Sequence, residues 1–146
     1  MRRRRLAGET VAVLFVDIDG LKILNDTYGH EAGDTAILVT AQSLLEATSA
    51  CDVVGRLGGD EFLVVLCHEH STDGNDVADR IVRTVAEHSI PVQGFLIPLQ
   101  VSVGIALARC DQATDPMELV HEADDAMYEA KKAARAIRDQ KAADKA

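Results

Sequence analysis

Arg56-Leu57-Gly58-Gly59-Asp60-Glu61-Phe62 stands between two short apolar runs, Val53-Val54 before it and Phe62-Leu63-Val64-Val65-Leu66 after it. Two strand-like runs joined through Gly-Gly-Asp predict a β-hairpin whose tip carries two acids. The paired glycines remove two side chains at that tip, so a bulky anionic group can approach the backbone closely. Asp60 and Glu61 follow at once, and adjacent carboxylates on a rigid turn suit a hard cation. A plain hairpin with a solvated acidic tip competes with this reading, since Gly-Gly-Asp turns are common.

A second acidic cluster upstream shifts that balance. Residues 11–16, Val-Ala-Val-Leu-Phe-Val, have the continuous apolar pattern of a central strand buried on both faces. The run ends at Asp17-Ile18-Asp19-Gly20, so two carboxylates stand where a buried strand emerges. Leu21 to Tyr28 reads as a short helical turn broken at Gly29. Glu31 to about Ser49 reads as the first long helix, with Ile37, Leu38, Ala41, Leu44 and Leu45 at helical spacing.

Beyond the hairpin, residues 67–76 read as a polar loop with an N-cap at Asn75 or Asp76. Val77, Ile81, Val82 and Val85 mark a second helix ending near His88. Pro91, Gly94 and Pro98 suit an irregular or edge hairpin. Leu99, Val101, Val103, Ile105 and Leu107 then alternate with Gln100, Ser102, Gly104 and Ala106 as in a strand. Asp115-Pro116 opens the last helix, whose buried stripe runs through Leu119, Ala123, Ala126, Met127, Ala130 and Ala134. This order predicts an α+β domain, a central and mostly antiparallel sheet flanked by helices. The end of the first strand and the hairpin tip can lie side by side in such a sheet, which brings Asp17 toward Asp60.

At 146 residues the chain fits one domain with its own core. Its 15 Lys and Arg against 24 Asp and Glu give a formal net charge of −9, which does not attract nucleic acid through bulk charge. A polyanionic small ligand therefore needs local cations or metal ions. Cys51, Cys67 and Cys110 cannot form a closed disulfide set and match no zinc spacing, so a reducing, cytoplasmic compartment is the simplest expectation. Cys51 and Cys67 read as small core residues, and His68 and His70 as loop residues facing water. No apolar run approaches the roughly 18–20 residues of a membrane segment. The basic start, Met1 to Arg5, is interrupted at Gly8-Glu9-Thr10 before any apolar signal region forms.

Carboxylates from two separate elements, meeting beside a Gly-Gly turn, are what two-metal phosphoryl transfer needs. Lys22, one helical turn past the Asp pair, can reach a phosphate. Lys131 and Arg135 are spaced i, i+4 on the last helix and share a face, so they either clamp a triphosphate or form a solvated basic surface.

The segment from Val16 through Asp34, VDIDGLKILNDTYGHEAGD, resembles the first signature of the GGDEF diguanylate cyclase family. The motif that names that family stands intact at Gly58-Gly59-Asp60-Glu61-Phe62. Val101 to Ala106 is similar to its later strand, and Ala123 to Lys131 to its final helix. The resemblance covers residues 11–135, in order. It implies a fold related to nucleotidyl cyclases and polymerase palm domains, with a ferredoxin-like core, and the condensation of two GTP molecules into cyclic di-GMP. It further implies that Asp17, Asp60 and the Ile18 carbonyl hold two magnesium or manganese ions. Glu61 falls where the family keeps a second essential acid near the attacking 3′-hydroxyl. Gly58 and Gly59 would let the α-phosphate approach, Asn25 and Asp34 would read the guanine edge, and Lys22, Lys131 and Arg135 would hold the β- and γ-phosphates. Asp34 has its own rationale: a carboxylate accepts from guanine N1–H and N2–H₂ together, and adenine lacks that donor pair. Asp19 and Asp26 read as capping or hydrogen-bonding scaffold.

Two departures from the family pattern stand out. Many members carry an Arg-x-x-Asp product-inhibition site, and here Ser49 takes the Arg position ahead of Asp52. A hydroxyl offers neither the stacking plane nor the bidentate contacts of guanidinium, so product inhibition through this site is expected to be weak or absent. The second departure is at the N-terminus: members usually carry a leading helix and turn motif before the first strand, and Met1 begins too late for it, so residues 1–10 look like the end of that helix, residues 11–138 the catalytic domain, and residues 139–146 a polar tail. The expectation is thus a truncated diguanylate cyclase domain that works as a homodimer, its upstream regulatory domain missing. The rival is a catalytically silent GTP-binding or interaction module.

Overall fold

In the computed structural model, which describes residues 10–66, 74–109 and 113–145, the run Thr10–Ile18 forms β1 at the centre of the sheet. Then follow α1 (Leu21–Tyr28), α2 (His30–Ala47), β2 (Val53–Gly58), β3 (Glu61–Leu66) and α3 (Asn75–Ala86). The chain continues through β4 (Ser89–Val92), β5 (Phe95–Pro98), β6 (Val101–Arg109) and α4 (Pro116–Asp144). The main sheet has the order β2-β3-β1-β6, and every neighbouring pair is antiparallel. β4 and β5 form a separate two-stranded hairpin, as the proline and glycine spacing predicts.

β1 is buried on both faces because helices cover both sides. Its even row, Ala12, Leu14, Val16 and Ile18, packs with Leu21, Leu24, Ala36, Leu44, Val77 and Ile81 from α1, α2 and α3. Its odd row, Val13 and Phe15, packs with Leu119, Ala123 and Met127 of α4. Each such large apolar side chain taken out of water contributes about 1.5–3 kcal/mol before chain entropy is counted. α4 starts where expected: Asp115 Oδ1 accepts from Met117 N at 3.0 Å and Pro116 follows the cap.

Several sequence expectations need correction. On α2 the buried positions are mostly small, including Ala32, Gly33, Ala36, Thr40, Ser43 and Ala47, with Leu44. Leu38 and Leu45 are 59% and 64% exposed, because α2 is apolar on more than one side and it is the small-residue side that is turned inward, where α2 lies close against α1 and α3. Val82 is likewise exposed on α3, and the residue capping that helix is Gly74 in the left-handed region (φ 86°), not Asn75 or Asp76. In β6 the small residues Ser102, Gly104 and Ala106 are buried too, since α4 lies on their face. Thr10 belongs to β1, and residues 139–144 continue α4 as helix. Cys51 is exposed and disulfide-bonded rather than a core residue, which removes the cysteine count as an argument for a reducing compartment. Cys67, Cys110, His68, His70 and residues 1–9 lie outside the described residues. No described helix is long and apolar enough to cross a membrane.

Candidate active site

Two rows of side chains run out of the core on the α4 side of the sheet and meet. The two-residue period of β1 carries the row Val13, Phe15 one step further to Asp17. The four-residue steps of α4 carry Leu119, Ala123 and Met127 on to Lys131. Lys131 Nζ donates to Asp17 Oδ2 at 2.8 Å, and only 22% of the lysine side chain is exposed. Lys131 is therefore not part of a solvated basic face. The signal was its place at the end of the core stripe.

Asp17 is 8% exposed, and its other oxygen, Oδ1, is buried with no hydrogen-bond partner. Burial pushes the Asp17 carboxyl up to about 6; the bond to Lys131 opposes this, and the neighbouring Asp60 carboxylate adds to it. A buried, unpaired carboxylate oxygen beside a second carboxylate is a place where a cation belongs. Among the described residues no group of three or more His, Cys, Asp or Glu is arranged to hold a metal, and the acids brought together at this point are Asp17 and Asp60.

The hairpin supplies the second acid as its sequence predicts. β3 pairs with β1 so that Glu61 stands opposite Asp17, and Ile18 N donates to Asp60 O at 3.0 Å. Register slips between Arg56 and Gly58, and Gly59 takes φ 47°, which an L side chain rarely adopts. A Cβ on Gly58 or Gly59 would meet nothing within 4 Å, so the backbone there is open to an approaching group. Arg56, which the sequence reading left without a role, braces this tip: its Nε and Nη2 donate to Gly59 O at 3.2 and 2.9 Å. Asp19 does act as scaffold, its Oδ1 accepting from Ser102 Oγ at 2.9 Å.

Beside the tip lies a cavity of about 450 Å³ lined by Asp34 with Ile37, Leu38, Ala41, Leu45 and Phe62 among others. The exposed leucines of α2 thus form its apolar wall, with Asp34 as an acidic group at its edge. Asn25 does not line this cavity; it sits across the α1–α2 elbow with Oδ1 buried and unpaired. Lys22 and Arg135 are both exposed.

The signature described as "Diguanylate cyclase, GGDEF domain" matches residues 1–136. The chain belongs to this family. It is 37% identical over 127 residues to diguanylate cyclase A of Treponema denticola, covering 87% of this chain and 34% of that protein. It is 40% identical over 131 residues to diguanylate cyclase TpbB of Pseudomonas aeruginosa, covering 89% of this chain and 30% of that one. The chain therefore spans about a third of the length of these curated relatives. A solved form of TpbB comprising only its GGDEF domain matches with a TM-score of 0.76 at 39% identity, over 85% of this chain and 72% of that one. In this GGDEF domain the motif hairpin and the end of β1 sit side by side, an arrangement the α+β expectation allowed. Asp17, Asp60 and Lys131 come together there, with Glu61 opposite Asp17 on β3, while Asp34 marks the neighbouring cavity.

Proposed function

We propose that this GGDEF domain is a diguanylate cyclase, joining two GTP molecules into cyclic di-GMP with release of two pyrophosphates. One observation carries the reading: the buried, unpaired Oδ1 of Asp17 beside Asp60, next to a hairpin whose glycines leave the backbone open. Asp17, Asp60 and the Ile18 carbonyl are the groups that would hold divalent ions, magnesium or manganese. Such ions, when bound, offset phosphate charge and favour the attacking alkoxide. Glu61 takes or orients the 3′-hydroxyl proton, and Gly58 and Gly59 admit the α-phosphate. Lys22 and Arg135 are free to meet the β- and γ-phosphates, and Lys131 joins them by leaving Asp17. Each bond joins one nucleotide's 3′-oxygen to the other's α-phosphorus, so two loaded domains must face one another. The active form is thus a transient homodimer.

Asp34 supplies base choice and the apolar wall of Ile37, Leu38 and Ala41 supplies contact area. Asp52 Oδ2 is engaged by Ser49 N and Ser49 Oγ, both at 2.8 Å, which agrees with a position not built to bind product. Incubation with magnesium and GTP is expected to yield cyclic di-GMP, with little product from ATP and little or no slowing on addition of cyclic di-GMP. Asp34→Ala should shrink the preference for GTP over ATP by about tenfold or more, the loss of a charge-assisted hydrogen-bond pair. Equal use of ATP by the unmodified chain would sink the assignment of Asp34, and strong slowing by product would sink that of Ser49.

A further inference from the structure

α4 is longer than the sheet it covers. It begins beside the start of β1, where Leu119 and Val120 share a cavity with Val11 and Val13. It then runs in the direction of β1, so that Lys131 meets Asp17 where that strand ends. The helix nevertheless continues to Asp144. At 1.5 Å per residue this remaining stretch carries it about 20 Å past the acidic pair. From Arg135 to Lys145 every residue is exposed, the apolar Ile137 included. A helix end without a packing partner adds little to stability by itself. It stands on the side from which a second loaded domain has to approach.

The charge of this overhang is opposite to that of the body. Six of the 15 Lys and Arg fall in residues 131–146, but only two of the 24 Asp and Glu. Residues 10–130 hold five of the cations and nearly all of the acids. Among the described residues Arg138, Lys141 and Lys145 engage no acid of their own domain. The helix dipole accounts for Lys141 in the last turn, but not for Arg138. We propose that the overhang is a docking arm for a second copy of this domain, its cations resting on the acidic body of the copy that faces it. Under twofold symmetry each copy extends an arm to the other, so the contact is made twice. Complementary charge of this kind acts chiefly on the rate of encounter. A net charge of −9 disfavours nucleic acid or an anionic membrane as the partner, whereas it is this same acidity that the arm complements. The inference rests on the paired-domain reading above and deepens it by naming what draws the pair together.

The test is self-association of the full chain, followed by sedimentation in magnesium and 3′-deoxy-GTP, which lacks the attacking hydroxyl and cannot turn over. One variant carries Arg138→Gln, Lys141→Gln and Lys145→Gln, which keep helix propensity. A control carries Gln42→Glu, Ala113→Glu and Thr114→Glu, the same change in net charge at exposed positions off the arm. At low salt the arm variant is expected to associate about tenfold more weakly than the unmodified chain, and the control nearly as well as it. The difference should fade as added salt screens the charges. Affinity for 3′-deoxy-GTP should stay unchanged, because these cations lie past the site. Cyclic di-GMP formation by the arm variant should fall in dilute protein and recover in concentrated protein. Equal association of arm variant and control would overturn the inference, as would an unmodified chain that stays monomeric at every concentration. Lost nucleotide affinity with unchanged association would assign the arm to its own domain's phosphates instead. Lost retention on phosphatidylserine vesicles or duplex DNA, again with unchanged association, would assign it to another partner; either result overturns the proposal. Arm-dependent association in a chain that forms no cyclic di-GMP would bring down the enzyme reading and leave the docking arm standing.

Discussion

Asp17→Asn is expected to abolish cyclic di-GMP formation and, in the same protein stripped of metal, to raise the melting temperature at neutral pH. Both effects have one origin. Asp17 is held where its charge is poorly solvated, beside Asp60, with one oxygen unpaired and only Lys131 in compensation. A preorganised charge of this kind serves the transition state at the expense of the resting fold. Losing it should lower turnover by about a thousandfold or more, at the upper end of what single electrostatic groups supply.

The pH dependence follows from the same shift. The folded carboxyl is raised to about 6 from its ordinary 3.8, chiefly by burial. Over that interval the folded chain keeps a proton that the unfolded chain has released. The stabilisation from this group is thus complete below the lower value and lost as pH rises through the higher one. In EDTA, Asp17→Asn should therefore exceed the unmodified chain in melting temperature at pH 7.5. The gap should close as the pH is brought down to about 4. A variant that melts lower at pH 7.5 would show that the Lys131 pair outweighs the burial of charge.

The second large effect concerns the fold that brings Lys131 to Asp17. Gly104 on β6 lies under α4, where a Cβ would collide with Met127 N and Ala123 O. Both are backbone atoms of a helix, so no rotamer change can relieve the contact, and α4 would have to lift from the sheet. Overpacking of this type costs about 1–3 kcal/mol and sometimes more, against a total stability of about 5–15 kcal/mol. Gly104→Ala is expected to lower the urea midpoint by an amount equivalent to about 3 kcal/mol and to reduce activity through Lys131. Gly55→Ala, whose Cβ would meet nothing within 4 Å, serves as the control and should change stability little. Equal midpoints for the two variants would mean that α4 does not rest on Gly104 as described.

Much of this was legible in the sequence because it depends on short-range rules. The Gly-Gly-Asp turn, the apolar run ending in Asp17 and the Asp115-Pro116 cap each act within a few residues, and each element stands where its local pattern put it. What escaped was decided by packing between elements. Leu38 and Leu45 have the spacing of core residues, yet they wall the cavity beside Asp34, because α2 turns its alanines and Gly33 inward. Sequence alone leaves Lys131 and Arg135 either as a phosphate clamp or as a solvated basic pair; with α4 laid on the sheet, Lys131 is drawn to Asp17 and only Arg135 of the two remains exposed. Arg56 stands in the motif stretch itself, but its bond to Gly59 O depends on a register slip that no composition rule predicts. Asn25 and Gly33 are eight positions apart, and only the fold at Gly29 sets one against the other.

The most direct measurement is cyclic di-GMP production from GTP and magnesium across a wide range of protein concentrations. A site built from intact residues and limited by the meeting of two domains should show specific activity that climbs with concentration, toward proportionality with it at the dilute end. If no product forms at any concentration while GTP still raises the melting temperature, the chain binds nucleotide without joining it, and the diguanylate cyclase account is contradicted.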